Sequence, residues 1–472
     1  MIPVTIFAGR DVAVFGLGMS GIAAAHALAA GGSRVLAWDD TAAARDKAAA
    51  QGVTLHDLAS ADWSTIPALV LAPGISLTHP EPHWSVKKAR QAGVEVIGDT
   101  ELFFRERAEE DCGDKVVVIT GTNGKSTTTA LTAHLLQVGG RPVALGGNIG
   151  RAVLDLPPFA AGLIYVLELS TFQIDLTPSL APDAAALLNI TPDHLDRHGT
   201  LEIYAAIKGR VFTGLPADST AVIGVDDYYC RAVADALAGP FALKRIAVGR
   251  PVETGVWVKD GILTEVEKGV ERGRLSLDGI GSLRGAHNWQ NAATAYALAR
   301  SQGLDASTIA KGLGTFAGLT HRMEQVARLG PVLFVNDSKA TNADAAAKAL
   351  ASFTDIYWIL GGRPKSGGLA GLEPFFPRIA RAYLIGEAAD AFATQLGAEV
   401  DHLQCGTLPR AIEAAAADAK RSRGREPVVL LSPACASYDQ FANFEARGQS
   451  FREFVLRLDG VSPVQPTQGR AT

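Results

Sequence analysis

The 472-residue chain sets 44 Lys and Arg against 49 Asp and Glu, a formal net charge of −5, with 47% apolar and 20% charged residues. This balance describes a chain folded into two to four domains. It argues against nucleic acid as the main partner and leaves no apolar run long enough to span a bilayer. Residues 1–10 lack the basic start and apolar segment of a secretory leader. The four cysteines (Cys112, Cys230, Cys405 and Cys435) show neither metal-site nor disulfide spacing, as expected of thiols in a reducing cytoplasm.

The first block, residues 1–105, alternates strands (12–15, 34–38 and 69–72) with helices. Its first strand runs into Gly16-x-Gly18-x-x-Gly21, and Asp39 ends the next strand. Alone, this is the fingerprint of a dinucleotide-binding turn, and an NAD-dependent oxidoreductase is one reading of it. The same turn lets backbone amides approach any diphosphate at a helix N-terminus. A charged stretch, 105–114, reads as a linker, or a helix end plus linker, to a second block, residues 106–318.

The second block opens with an apolar strand, 115–120, followed by Gly121-Thr122-Asn123-Gly124-Lys125-Ser126-Thr127 at the head of a helix. Backbone N–H groups of such a turn cradle phosphate oxygens, Lys125 neutralises the terminal phosphates, and the Ser126 hydroxyl suits Mg2+. Ile119 stands where the standard phosphate loop has Gly, so the loop is a shortened one. Strand 163–170 carries Glu168 near its C-terminal end, where a carboxylate among apolar neighbours calls for a metal or a partner. After strand 184–188, the loop 189–197 gathers Asp193, His194 and Asp196. The third block, residues 319–460, has strands at 332–335, 355–360, 381–385 and 427–431; residues 461–472, rich in Pro, Gln and Thr, are expected to be a disordered tail. Short apolar strands alternating with helices throughout imply an α/β chain of parallel sheets covered on both faces.

GTNGKST, YVLELSTFQ and NITPDHLDRHG, with Lys208 downstream, resemble the central domain of the Mur ligases, ATP-dependent enzymes that build the peptide of bacterial peptidoglycan. Residues 145–150, 335–342 and 431–448 narrow the likeness to the branch that adds D-glutamate to UDP-N-acetylmuramoyl-L-alanine. The Asp-Asn-Pro-Arg pattern of the diaminopimelate-adding sibling is absent. A sibling of the Mur or folylpolyglutamate type with another amino acid is the alternative within the class. The resemblance implies three domains: an N-terminal Rossmann-like domain, a central P-loop-type mononucleotide-binding α/β domain, and a C-terminal Rossmann-like α/β domain that closes on ATP.

It also implies roles, position by position. Gly121 to Thr127, with Asn288 and Asn291 at the adenine and Arg322 and Asp337 from the third domain, would bind ATP. Ser126, Glu168, His194 and a carbamylated Lys208 would hold two Mg2+ ions; Lys125, Glu168, His194 and Lys208 would form the catalytic set. Gly18, Met19, Ser20, Asp39, Asp40, Thr41, Pro73, Gly74 and Asn148 would take the UDP substrate, Ala72 standing where the family often has Ser. Lys339, Thr341, Lys365, Ser437, Tyr438 and Phe444 would face the incoming amino acid. A cytoplasmic monomer acting on small molecules is expected.

Overall fold

Apolar strands alternating with Ala-rich helices build three mainly parallel sheets in the computed structural model, which describes residues 1–365 and 367–464. The chain divides into two compact units: Met1–Ser276 with Gln290–Gly312, and Leu277–Trp289 with the residues from Leu313 onward. The first unit holds two sheets and the second holds one.

The first sheet contains β1 (Asp11–Phe15), β2 (Arg34–Trp38), β3 (Ala68–Leu71) and β4 (Glu95–Ile97) in the order β2-β1-β3-β4, all parallel. The turn after β1 leads into the helix Met19–Ala30. A Cβ on Gly21 would lie 1.8 Å from the Gly16 carbonyl oxygen, so only glycine allows the helix to start this close to the strand.

The second sheet contains β5 (Lys115–Thr120), β6 (Val143–Gly147), β7 (Ile164–Glu168), β8 (Ala184–Leu187), β9 (Thr220–Gly224), β10 (Ala242–Val248), β11 (Gly255–Lys259), β12 (Ile262–Glu267) and β13 (Val270–Ser276). Their order is β13-β12-β11-β10-β9-β8-β5-β7-β6. The chain leaves β5 on one side for β6 and β7 and on the other for β8, so a crevice opens beyond the C-terminal end of β5. At the other edge, β11, β12 and β13 pair antiparallel, which corrects the expectation of parallel pairing throughout. The reason is local: Asp260-Gly261 and Lys268-Gly269 both take positive φ (50° and 75°, 51° and 76°), the twist of two-residue hairpin turns.

In the second unit, β14 (Glu324–Leu329), β15 (Val332–Asn336), β16 (Ile356–Gly361), β17 (Ile379–Ile385), β18 (His402–Gly406), β19 (Val428–Leu431) and β20 (Ser462–Pro463) follow the order β18-β17-β16-β19-β15-β14-β20. β14 pairs antiparallel with β15 and β20, and the other pairings are parallel. Ser462 and Pro463, inside the expected tail, are therefore part of the sheet edge; residues 465–472 lie outside the described ones. All four cysteines are free thiols, and no described helix is long and apolar enough to cross a membrane.

One buried carboxyl in the first unit is left uncompensated. Asp99 opens the helix Asp99–Glu110 at 2% exposure, and neither of its oxygens has a hydrogen-bond partner. Burial pushes its pKa from 3.8 up to about 6, and the nearby polar groups of Thr100 and Ser20, outside hydrogen-bond geometry, offset only part of this. The folded state thus holds this proton to a higher pH than the unfolded chain, and the group costs stability as pH rises from about 4 to about 6. Asp99→Asn is expected to raise the melting temperature at pH 8, with little change at pH 4. The advantage corresponds to at most about 3 kcal/mol. An equal shift at both pH values would contradict it.

Candidate active site

The turn after β1 presents the N-terminus of the helix Met19–Ala30, with Gly18 at its cap and Met19 54% exposed. Asp39 is committed to the turn itself: its carboxylate accepts from the Leu17 and Thr41 N–H groups, each at 2.8 Å. Asp40 lies 3.0 Å from His83 Nε2 and accepts from Trp84 Nε1 at 3.1 Å. Pro73 and Gly74 follow β3 in a turn closed by the Ile75 N–H on the Ala72 carbonyl. The structure thus brings the expected substrate residues of the first block to one edge of its sheet, whereas Asn148 follows β6 of the second sheet and bonds Glu168.

The phosphate loop is held from several sides. Asn189 anchors it through main chain and side chain: its carbonyl accepts from Thr122 N–H, Oδ1 accepts from Asn123 N–H, and Nδ2 donates to the Asn123 carbonyl. Lys125 Nζ donates back to the Gly121 and Thr122 carbonyls at 3.0 and 2.9 Å. Gly124 caps the helix Lys125–Val138 at φ 86°, and a Cβ there would lie 2.2 Å from Asn291 Oδ1, so the loop and Asn291 meet only through glycine. Asn291 also accepts from Thr128 Oγ1 at 3.2 Å. Ser126 is buried in the first turn of that helix, with the half-buried Thr127 next to it. Asn288, three residues before Asn291, donates to the Arg284 carbonyl at 3.0 Å.

Glu168 ends β7, level with Ile119 of β5 and Gly147 of β6. It is 2% exposed; Oε1 accepts from Asn148 Nδ2 at 2.8 Å, and Oε2 is buried with no partner. An unpaired carboxylate oxygen at the crevice edge fits a cation, which removes the desolvation cost of leaving it bare. Lys208, on the helix Leu201–Gly209, is 1% exposed and donates to the same Gly121 carbonyl at 2.9 Å. Its Nζ lies 4.6 Å from the centre of the Tyr204 ring, one helical turn earlier. Burial, then the charge of Lys125, lowers the Lys208 pKa to about 7, against the pull of Asp193 and Glu168. His194 adopts a left-handed conformation (φ 51°) before the helix Leu195–His198, with Nε2 3.5 Å from Asp193. Among the described residues no three of His, Cys, Asp or Glu gather as a metal cluster; the expected donor set has only two of these types, Glu168 and His194.

In the second unit, Asp337 follows β15 and is 7% exposed, accepting from Met323 N–H and Ser432 Oγ. Burial pushes its pKa up to about 7, with Ser432, Met323 and Arg322 acting in the opposite direction. Lys339 Nζ sits 3.8 Å over the Phe444 ring, and Thr341 N–H donates to the Lys339 carbonyl. Ser437 is buried, whereas Lys365 is exposed and Tyr438 is 65% exposed.

Sequence reasoning missed the residue that ties these loops together. Arg447 is 1% exposed and bonds Ser338 Oγ (3.0 Å) and the carbonyls of Ser338 (2.9 Å), Cys435 (3.1 Å) and Ala436 (3.4 Å). Burial lowers its pKa to about 10. A buried arginine spent on main-chain carbonyls leaves no spacing in a sequence. Tyr204 was also passed over, although its place four residues before Lys208 puts it on the same helix face.

The chain matches the Mur ligase middle domain over residues 119–299 and the Mur ligase glutamate ligase domain over residues 321–435. A UDP-N-acetylmuramoylalanine–D-glutamate ligase of Chelativorans sp. (strain BNC1) is 57% identical over 463 residues, covering 98% of each chain. Its namesake in Bradyrhizobium diazoefficiens is 56% identical over 98% of this chain and 100% of that one. Among solved structures, the UDP-N-acetylmuramate-alanine ligase MurC of Thermotoga maritima superposes with a TM-score of 0.56 at 18% identity, over 94% of this chain and 98% of that one. MurF of Acinetobacter baumannii gives 0.55 at 18% identity, over 76% and 82%. These two carry the fold alone, but identity above one half along nearly the whole length, with both domain matches, shows that the chain belongs to the Mur ligase family.

Proposed function

We propose that this chain is an ATP-dependent ligase that joins the amine of D-glutamate to the carboxylate of UDP-N-acetylmuramoyl-L-alanine, forming an amide with ADP and phosphate as products. The observation that carries the reading is the unpaired Glu168 oxygen at the crevice edge, in the unit that also holds a phosphate loop with Lys125 and Lys208 on one carbonyl. Relatives 54–57% identical to the chain bear the name of this ligase.

ATP phosphorylates the substrate carboxylate, giving an acyl phosphate. The D-glutamate amine attacks it, and the tetrahedral adduct collapses to amide and phosphate. No side-chain nucleophile is needed; the chain positions the partners and offsets charge. Amide groups of residues 121–125 and the Lys125 ammonium receive the ATP phosphates, with Thr122, Asn123 and Thr127 around them. Mg2+ ions held by Ser126, Glu168, His194 and a carbamylated Lys208 supply further charge neutralisation when bound. Asn288 and Asn291 serve the adenine, and Arg322 and Asp337 are further nucleotide-binding residues. Gly18, Met19 and Ser20 take the diphosphate of the UDP substrate, with Asp39, Asp40 and Thr41 toward the uridine and Pro73, Gly74 and Asn148 along the rest. Lys365 pairs with the side-chain carboxylate of D-glutamate, alongside Thr341, Ser437, Tyr438 and Phe444, and Lys339 serves the phosphate side. The enzyme acts as a cytoplasmic monomer, without nucleic acid.

Phosphate release from Mg-ATP with UDP-N-acetylmuramoyl-L-alanine tests the assignment. Release is expected with D-glutamate and not with L-glutamate or L-lysine. Release only with another amino acid would make the chain a sibling ligase. Thermal protection by NAD but not by the UDP substrate would revive the oxidoreductase reading of the first turn.

A further inference from the structure

Arg197 has no part in the roles above, yet it joins the two sheets of the first unit. It stands three residues after His194, on the helix Leu195–His198. Its Nη1 donates to the Gly74 carbonyl at 3.0 Å and its Nη2 to the Ile75 carbonyl at 2.8 Å, both in the turn after β3. The guanidinium lies 4.8 Å from the centre of the Phe172 ring. Phe172 in turn packs edge-on against His194 at 5.1 Å and stacks on His198 at 5.0 Å and 14°. A second contact lies beside the first: a Cβ on Gly199 would come within 3.2 Å of the His79 ring.

The far end of the same loop is fixed at the C-terminal ends of β1 and β2, beside the proposed uridine residues. His83 and Trp84 both bond Asp40, and both rings pack on Phe15 of β1. A continuous path of bonded and packed groups therefore runs from Asp40 through residues 72–84 to Arg197, Phe172 and His194. The planar fork meets two successive carbonyls while its central carbon lies over an aromatic ring, an arrangement that lysine cannot reproduce.

We propose that Arg197 is a positioning residue that couples the two ligand sites of the first unit, so that the uridine-nucleotide substrate on the first sheet sets the His194 loop beside the phosphate loop. The inference rests on the ligase reading above. Linkage makes the effect reciprocal: whatever the substrate adds to nucleotide affinity, the nucleotide adds to substrate affinity.

The test is the affinity of a non-hydrolysable ATP analogue with Mg2+, measured with and without saturating UDP-N-acetylmuramoyl-L-alanine, on the full chain. The substrate is expected to tighten analogue binding about tenfold in the wild type and less than about twofold in Arg197→Ala. In the same variant, the affinity of each ligand alone is expected to stay within about threefold of the wild type. A merely structural role would lower the melting temperature and leave this ratio unchanged. If Arg197→Ala does not fold, Arg197→Gln, which keeps a polar side chain but lacks the guanidinium fork, is read by the same ratio. Full coupling in the variant, or none in the wild type, would overturn the proposal. Failure of either ligand to bind the wild type would overturn the ligase reading, and this inference with it.

Discussion

Lys208→Ala is expected to lower ligation by about 10²–10³-fold while leaving the chain folded. Short carboxylic acids such as acetate added to that variant are expected to restore part of the rate, and Lys208→Arg to remain inactive. The reason lies in the surroundings of Nζ. At 1% exposure it meets one carbonyl and the face of Tyr204, with Lys125 on the same Gly121 oxygen. Two ammonium groups beside a phosphate loop would repel a divalent cation. Under the proposal above, reaction of the Lys208 amine with CO2 would turn one of them into a carbamate, whose anionic oxygens would suit Mg2+. That reaction needs the neutral amine, which burial favours here by bringing the pKa down to about 7. Arginine is never neutral and cannot follow. A fully active Lys208→Ala would remove the carbamate from the mechanism.

Arg447→Met is expected to be the most damaging substitution in the second unit. The main-chain carbonyls of Ser338 and Cys435 would lose a donor inside the fold, at roughly 1–3 kcal/mol each, while the Ala436 carbonyl keeps the Arg363 N–H. These carbonyls belong to the segments that lead to Lys339 and Thr341 and to Ser437 and Tyr438. Activity should therefore fail through the amino-acid site proposed above: KM for D-glutamate rises more than KM for ATP, and the melting temperature falls. Arg447→Lys keeps the charge but reaches fewer carbonyls, and should fall between the two. Unchanged KM for D-glutamate in a folded Arg447→Met would contradict this account of the loops.

Much of this was legible in the sequence because the signals are local. The strands 115–120 and 332–335 are short apolar runs, and Gly124-Lys125-Ser126 stands between a strand and a helix. The unpaired Glu168 follows the same logic, an acid at the end of an apolar strand. The antiparallel edge β11–β13 was missed although Asp260-Gly261 is a direct hairpin signal. Interleaved polar residues there hid the strands from a search for apolar runs. Arg197 and Arg447 could not be read at all, because their partners are backbone carbonyls more than 80 residues away in the case of Ser338 and Gly74. Side-chain identity at the far end is invisible when the contact is to the main chain. Asp99 was missed for a related reason, since nothing local marks a carboxyl left without a partner.

The transfer of oxygen tests the central claim most directly. UDP-N-acetylmuramoyl-L-alanine labelled with heavy oxygen in its free carboxylate is incubated with Mg-ATP, D-glutamate and the full chain, and the released phosphate is analysed by mass. An acyl phosphate requires one labelled oxygen to pass to phosphate for each amide formed, and none in the absence of turnover. Amide formation with unlabelled phosphate would contradict the acyl-phosphate route, and labelled phosphate without D-glutamate in the product would contradict the ligase itself.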